Sequence, residues 1–208
     1  MSSTRSHSSS VQVVPAIPPA ERQLLLDAAL AAIEHTLRSG DRPKVDVDRF
    51  PERLREQGAS FVTLRRGDDL LGCIGTLEPF QPLGVDVVEH AWAAAFADPR
   101  FHALGSDEFA DFTVEVSVLG PLQWLSVTSL DELRSALRPG EDGLLVVTNG
   151  HRATFLPSVW PNVRDVDDFL DLLWRKAGLT PGEWVEGLAA ATYQVDHFER
   201  TRPGRAAG

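Results

Sequence analysis

The chain has 208 residues, 43% of them hydrophobic and 24% charged, with a formal net charge of −10. That length and balance specify a globular body with one sizeable core, or two lobes sharing one, and the negative sign argues against nucleic-acid binding, which rests on phosphate neutralisation. No run of eighteen apolar residues is present, so no transmembrane helix is predicted; the single cysteine, Cys73, permits no internal disulfide and fits a reducing cytoplasm.

The first stretch, MSSTRSHSSSVQVVPAIPPA, has neither an apolar h-region nor a cleavage pattern. Its Ser and Pro content predicts a disordered leader over residues 1–18, with one folded domain over 19–200 and a flexible tail over 201–208. Leu24, Leu25, Ala28, Ala32, Ile33 and Leu37 recur at helical spacing, and Gly40 marks the stop. A polar connection follows, with a short helical turn near Pro51. ASFVTLRR and LLGCIGT read as two strands around a turn at Gly67-Asp68-Asp69. Strict alternation then puts Leu71, Cys73 and Gly75 on one strand face and Leu70, Gly72 and Ile74 on the other.

Val85, Val88, Ala91, Trp92 and Ala95 predict a helix that ends near Asp98, because Pro99 disfavours helical geometry in the residue before it. FTVEVSVLG alternates as a strand, and Ser129-Leu130-Asp131-Glu132 is a capping box. GLLVVT and HRATFLP are joined by Asn149-Gly150, the pair preferred by a type I′ turn. Asp165 caps the next helix and Gly178 ends it. Thr180-Pro181-Gly182-Glu183 reads as a further capping box, and ATYQVDHF as one closing strand. Basic pairs such as Arg65-Arg66, and Arg200, Arg202 and Arg205, read as solvated loop and tail.

These elements repeat in order. Leu70 and His151, Val85 and Val166, and Val116 and His197 each lie 81 residues apart. The predicted fold is therefore α+β, with two related hairpin-helix-strand halves packed as one body about a pseudo-twofold axis, and the seam between them is the natural cleft. No clustered metal ligands, phosphate loop, dinucleotide fingerprint or nucleophile elbow occurs, so neither metal nor cofactor is implied.

FVTL (61–64), LLGCIGT (70–76), DPRF (98–101), EVSVL (115–119), FLPSV (155–159) and KAGL (176–179) follow one another in this order. In this the chain resembles the AMMECR domain family, also called AmmeMemoRadiSam system protein A, from about Leu24 to Glu199. The resemblance implies a single α+β body of two β-rich halves and the company of a Memo-like protein and a radical SAM enzyme. It carries over no established activity. Where the family motif has Leu-Arg-Gly-Cys-Ile-Gly, this chain has Leu71 in place of the arginine.

Cys73 is the candidate nucleophile, weighed against a small buried hydrophobe. Its base would come from His90, His102 or His151, and the amides of Gly72 and Gly75 can face an anion or oxyanion. Arg100 is a candidate fork for a carboxylate or phosphate, weighed against a turn in which Asp98 and Arg100 bond each other or nearby backbone. Asp98 and Lys176 end equivalent helices and are placed as a possible seam ion pair, while Glu115 needs Arg100 or Lys176 as partner. The five tryptophans read as packing rather than as a base-stacking platform. Two functions stand at this point: a cytoplasmic accessory or partner-binding component of an AmmeMemoRadiSam-type system, and an enzyme using Cys73 on a small-molecule, protein or RNA substrate. A third is an anion binder without turnover.

Overall fold

A computed structural model of the chain describes residues 16–106 and 111–202. Residues 1–15 of the expected leader and 203–208 of the expected tail lie outside the described residues. Within them, Ile17 already packs into the core at 4% exposure and its N–H donates to Asp196 Oδ2, so packing begins before residue 18. At the other end the final strand continues through Arg202.

The first helix, α1 (Pro19–Ser39), buries Leu25, Leu26, Ala29, Ala32 and Ile33, and stops at Gly40 with φ 77°. One helical turn, α2 (Glu52–Arg55), follows Pro51. A two-residue strand β1 (Gln57–Gly58) precedes the hairpin of β2 (Ser60–Arg66) and β3 (Asp69–Gly75). The short β4 (Gln81–Pro82) pairs with β1 and leads into α3 (Leu83–Phe96). Next come β5 (Phe112–Leu119), the two-residue β6 (Gln123–Trp124) and α4 (Leu130–Ala136). Ser129 Oγ accepts from the Glu132 N–H while Glu132 accepts from the Thr128 N–H, so the capping box forms with its return bond one residue upstream. The second hairpin is β7 (Gly143–Thr148) and β8 (His151–Phe155), followed by α5 (Val166–Lys176), β9 (Ala189–Tyr193) and β10 (Val195–Arg202).

Two four-stranded antiparallel sheets result, in the orders β10-β5-β2-β3 and β6-β9-β7-β8. One face of the first sheet, through Val62, Leu64, Val114 and Val116, packs on α1 and α3. One face of the second, through Leu144, Val146 and Ala190, packs on α4 and α5. Their other faces meet through Phe61, Leu119, Leu145, Tyr193 and Val195. The layers therefore run helices, sheet, sheet, helices, and the fold is α+β.

The order return strand, first hairpin strand, second hairpin strand recurs in both sheets as β5-β2-β3 and β9-β7-β8. The 81-residue spacing fails only at the last strand. ATYQVDHF is two strands, which change sheets at Gln194, and β10 pairs with β5. Val116 and His197 are thus neighbours across one ladder and not equivalents. After each return strand the chain crosses over: β6 joins the second sheet and β10 the first.

Three further expectations change. Only Gly150 of the Asn149-Gly150 pair has positive φ (85°), which is the pattern of a type II turn and not of type I′. Thr180-Pro181-Gly182-Glu183 opens no helix. Gly182, at φ 78°, closes a Pro-Gly turn in which the Glu183 N–H donates to the Thr180 carbonyl. In the first hairpin, Leu64 pairs with Gly72 but Arg65 with Leu70, so Leu71 is the extra residue of a β-bulge. The bulge resets the alternation: Leu71 packs toward the α1/α3 core, while Cys73 lies opposite Thr63 on the seam face.

Candidate functional site

Cys73 lies on β3, an edge strand of the first sheet. An edge strand has N–H and C=O groups with no neighbouring strand to pair them. At Cys73 the Asp98-Pro99-Arg100 turn supplies that pairing with side chains. The Cys73 N–H donates to Asp98 Oδ2 (2.9 Å), and Arg100 Nη2 donates to the Cys73 carbonyl (2.7 Å). Arg100 also grips the carboxylate, Nε on Oδ1 at 2.9 Å and Nη2 on Oδ2 at 2.7 Å, and its own N–H donates to Oδ1. Asp98 is sequestered while the Arg100 side chain is 56% exposed. The bidentate fork, working against the cost of burial and helped by the Cys73 and Arg100 amides, holds the Asp98 carboxyl well below the usual carboxylate range. Asp98 in turn raises the Arg100 pKa. Position 98 is set by Pro99, which ends α3, and the Asp98–Arg100 pairing is the turn reading realised, extended to the backbone of Cys73.

Cys73 as a residue is half-buried. Thr63 Oγ1 donates to Sγ at 3.2 Å. No histidine ring is bonded to it among the described contacts: His90 Nδ1 meets Asp86 and Ser60, and His151 Nδ1 meets the Ala177 carbonyl. The expectation of a histidine base at Cys73 is not met by His90 or His151.

Lys176 approaches from the second half. It is the last residue of α5, and Nζ donates to the Thr154 carbonyl (3.0 Å) and lies 5.1 Å from the Phe155 ring centroid. The residue is exposed, yet the protein packed around its ammonium lowers its pKa, opposed by attraction to Cys73 and reinforced by repulsion from Arg100. Cys73, Arg100 and Lys176 thus share one electrostatic environment at the seam. The expected Asp98–Lys176 ion pair does not form, since Arg100 saturates Asp98 first. Glu115 pairs with neither Arg100 nor Lys176. It takes Arg65 Nε at 3.0 Å, because Arg65 and Glu115 come from adjacent strands and face the same side. Arg152 Nη1 bonds Glu78 Oε1 at 2.6 Å, a tie between β8 and the loop after β3.

Gly72 and Gly75 have packing reasons for their lack of a side chain. A Cβ on Gly72 would collide with the Ala94 carbonyl of α3, and one on Gly75 with the Phe61 ring and the Ser60 carbonyl. Of the tryptophans, Trp160 and Trp174 are buried, whereas Trp124 is 58% exposed, as is Phe80 at 59%. The turn is the two residues Gly67-Asp68, since Asp69 already pairs with Arg66, and the Leu71 bulge restores the register of the expected three-residue turn, which sets Thr63 opposite Cys73. Among the described residues no helix is long and apolar enough to cross a membrane.

A half-buried cysteine with a clamped main chain is the local arrangement built by the LLGCIGT and DPRF blocks, with Lys176 of KAGL nearby. The AMMECR1 family model matches residues 26–198. A protein of Methanothermobacter thermautotrophicus is 39% identical over 166 residues, spanning 77% of this chain and 84% of its own length. A protein of Methanocaldococcus jannaschii is 34% identical over 183 residues, spanning 84% and 88%. The crystal structure of an uncharacterized protein from Pyrococcus horikoshii superposes with a TM-score of 0.80 at 30% identity, covering 90% of this chain and 98% of that one. The chain belongs to the AMMECR1 family.

Proposed function

We propose that the seam is a reaction site at which the Cys73 thiolate performs nucleophilic or transfer chemistry on a substrate carrying an anionic group. The observation that carries this reading is the clamp. Asp98 and Arg100 tie off both main-chain groups of Cys73, a residue that is itself only half-buried. A structural thiol needs no such fixing, whereas a nucleophile gains from it. The Thr63 hydroxyl donates to the sulfur, and the Arg100 and Lys176 cations share its electrostatic surroundings. The same two cations attract an anionic substrate. A reduced thiol suits a cytoplasmic setting.

The test is charge-selective alkylation of the native protein. Iodoacetate is expected to outpace iodoacetamide by about fivefold once each rate is normalised to free cysteine, the equivalent of ~1 kcal/mol of ion pairing. Lys176→Met should remove most of that preference. Equal normalised rates, or a sulfur that fails to react in the folded protein, would refute the reading.

The exposed rings of Phe80 and Trp124 favour a second reading, in which the chain also docks on partners, a Memo-like protein and a radical SAM enzyme. Co-purification of either partner with the chain, lost in Trp124→Ser or Phe80→Ser, is the expected result. Undiminished capture by the double variant would remove these rings from any partner interface.

A further inference from the structure

Away from Cys73, the seam opens into a cavity of about 850 Å³. Its floor comes from the first sheet, through Ser117 of β5 and Val195 and His197 of β10. Its walls come from the second half and are largely apolar, with Leu156, Pro157, Pro161 and Val163 among them. Two polar side chains on such a floor call for a reason, and the ladder supplies the geometry. Ser117 and His197 are direct cross-strand partners, and β-strand alternation brings Glu199 onto the same face two residues on.

The three side chains are in line. Ser117 Oγ is 3.3 Å from His197 Nδ1, and His197 Nε2 is 3.9 Å from Glu199 Oε2. At 3.9 Å the Glu199 contact is longer than a hydrogen bond and its side chain is 57% exposed; the tautomer with the ring proton on Nε2 is the one in which Nδ1 accepts the Ser117 hydroxyl proton. A hydroxyl, a base within reach and a carboxylate that orients the base are the components of an activated serine, and such contacts are commonly looser before substrate binds. Here the imidazole is turned end for end relative to the chymotrypsin arrangement, with Nδ1 as base. Gly140 and Ser158 are among the residues that line the same cavity.

We propose that Ser117, His197 and Glu199 form a second site that hydrolyses esters of small apolar acids. Ser117 Oγ adds to the ester carbonyl carbon as its proton passes to His197 Nδ1. The tetrahedral adduct then expels the alkoxide, which leaves as the alcohol with that proton. The acyl group is now esterified to Ser117. Water adds next, giving its proton to Nδ1, and the C–O bond to Ser117 breaks. The carboxylic acid departs and Oγ regains the proton. Water is the only co-reactant and nothing is oxidised or reduced. Ser117 and His197 are the catalytic residues; Glu199 is a positioning residue. The apolar walls select the acyl group. This proposal does not depend on Cys73.

The experiment uses Cys73→Ala as the parent, so that no thiol can be acylated, with p-nitrophenyl butyrate as substrate and an alkyl fluorophosphonate as the covalent probe. The probe is expected on Ser117 by peptide mass spectrometry. Ser117→Ala should lower kcat/KM by about 100-fold or more, and so should His197→Gln, whose exposed side chain is not needed for folding. Glu199→Gln should lower kcat by about tenfold at unchanged KM, which a merely structural carboxylate would not do. Hydrolysis within about threefold of the parent in folded Ser117→Ala, probe on another residue, or no hydrolysis by the parent would each overturn the proposal.

Discussion

Gly72-Cys73 on β3 and Ala153-Thr154 on β8 stand 81 residues apart on the second strand of each hairpin, and the two halves use them differently. In the first half α3 lies so close to β3 that Gly72 has no space for a methyl group. In the second, Ala153 buries its side chain in the α5 cluster. The next residue shows the larger contrast. Thr154 turns its hydroxyl inward, donating to the Leu144 carbonyl at 2.9 Å and meeting Tyr193 OH at 2.6 Å. Cys73 is half-buried with the Thr63 hydroxyl on its sulfur, and its main chain is tied by Asp98 and Arg100. On β8 the corresponding carbonyl is taken by Lys176 alone. One hairpin has its main chain held by side chains of the turn after α3. The other has its side chain held within its own sheet and its carbonyl held by the end of α5.

The contrast breaks most severely at Gly72. Gly72→Ala forces β3 and α3 apart at a backbone carbonyl, which cannot swing aside, and should cost about 3 kcal/mol in urea unfolding. Ala153→Gly, the converse change, should cost only ~1 kcal/mol. Similar losses at the two sites would show that the helices sit equally close to their strands.

Removing the clamp comes next. Asp98→Asn leaves the Arg100 fork without its charge partner, and about 2–3 kcal/mol should be lost at pH 7. The folded carboxyl binds its proton at lower pH than the unfolded one, near 3.9, so its contribution is present above that value and fades as pH falls below it. The gap between wild type and variant should therefore be flat from pH 6 to 8 and shrink below about pH 4. A gap that persists in strong acid would mean that the asparagine fails for steric rather than electrostatic reasons.

What the sequence made legible was local. Pro99 stops α3 and Gly178 stops α5 through backbone geometry that neighbouring residues alone dictate. Asp165 caps α5 as read, accepting from the Asp168 N–H at 2.8 Å. What stayed hidden depended on register between distant strands. YQV continues a period-two pattern through Gln194, so nothing local announces that the chain changes sheets there. The shorter turn and the Leu71 bulge offset each other, so Thr63 stands opposite Cys73 while Leu71 leaves the face that strict alternation gives it. Glu115 met Arg65, and Ser117 met His197, only because β5 lies between β2 and β10. The site residues named from sequence divide the same way. Asp98 and Arg100 were in reach of each other by spacing, while the partners of Lys176 and Glu115 required the assembled ladder.

A smaller effect is expected on the anchored side. Burial pushes the Tyr193 hydroxyl up to about 12, and that hydroxyl meets Thr154 Oγ1 and donates to the Phe155 carbonyl. Tyr193→Phe removes these bonds without changing the ring, so ~1–2 kcal/mol should be lost, read from the urea midpoint. Iodoacetate modification of Cys73 should slow only slightly, since Lys176 still has the Thr154 carbonyl. A large drop in thiol reactivity would show that the Tyr193–Thr154 contact holds β8, and with it Lys176, in place.

The smallest effect is expected at Leu71, where the family motif carries arginine. If β3 alternated without interruption, residue 71 would share a face with Cys73, and Leu71→Arg would add a cation beside the thiol. The bulge instead packs Leu71 toward the α1/α3 core, with Leu70 and Cys73 on the seam face. Leu71 is only partly buried, so an arginine can lay its methylenes over the same apolar surface and carry its charge out to water. Stability should then change by no more than about 0.5 kcal/mol. Alkylation of Cys73 at neutral pH should keep its wild-type rate, because the Asp98–Arg100 clamp and Lys176 are untouched. A marked rate increase would mean that an arginine at 71 undoes the bulge and turns inward. In that case the seam of this chain, with leucine there, would hold one cation fewer than the family site.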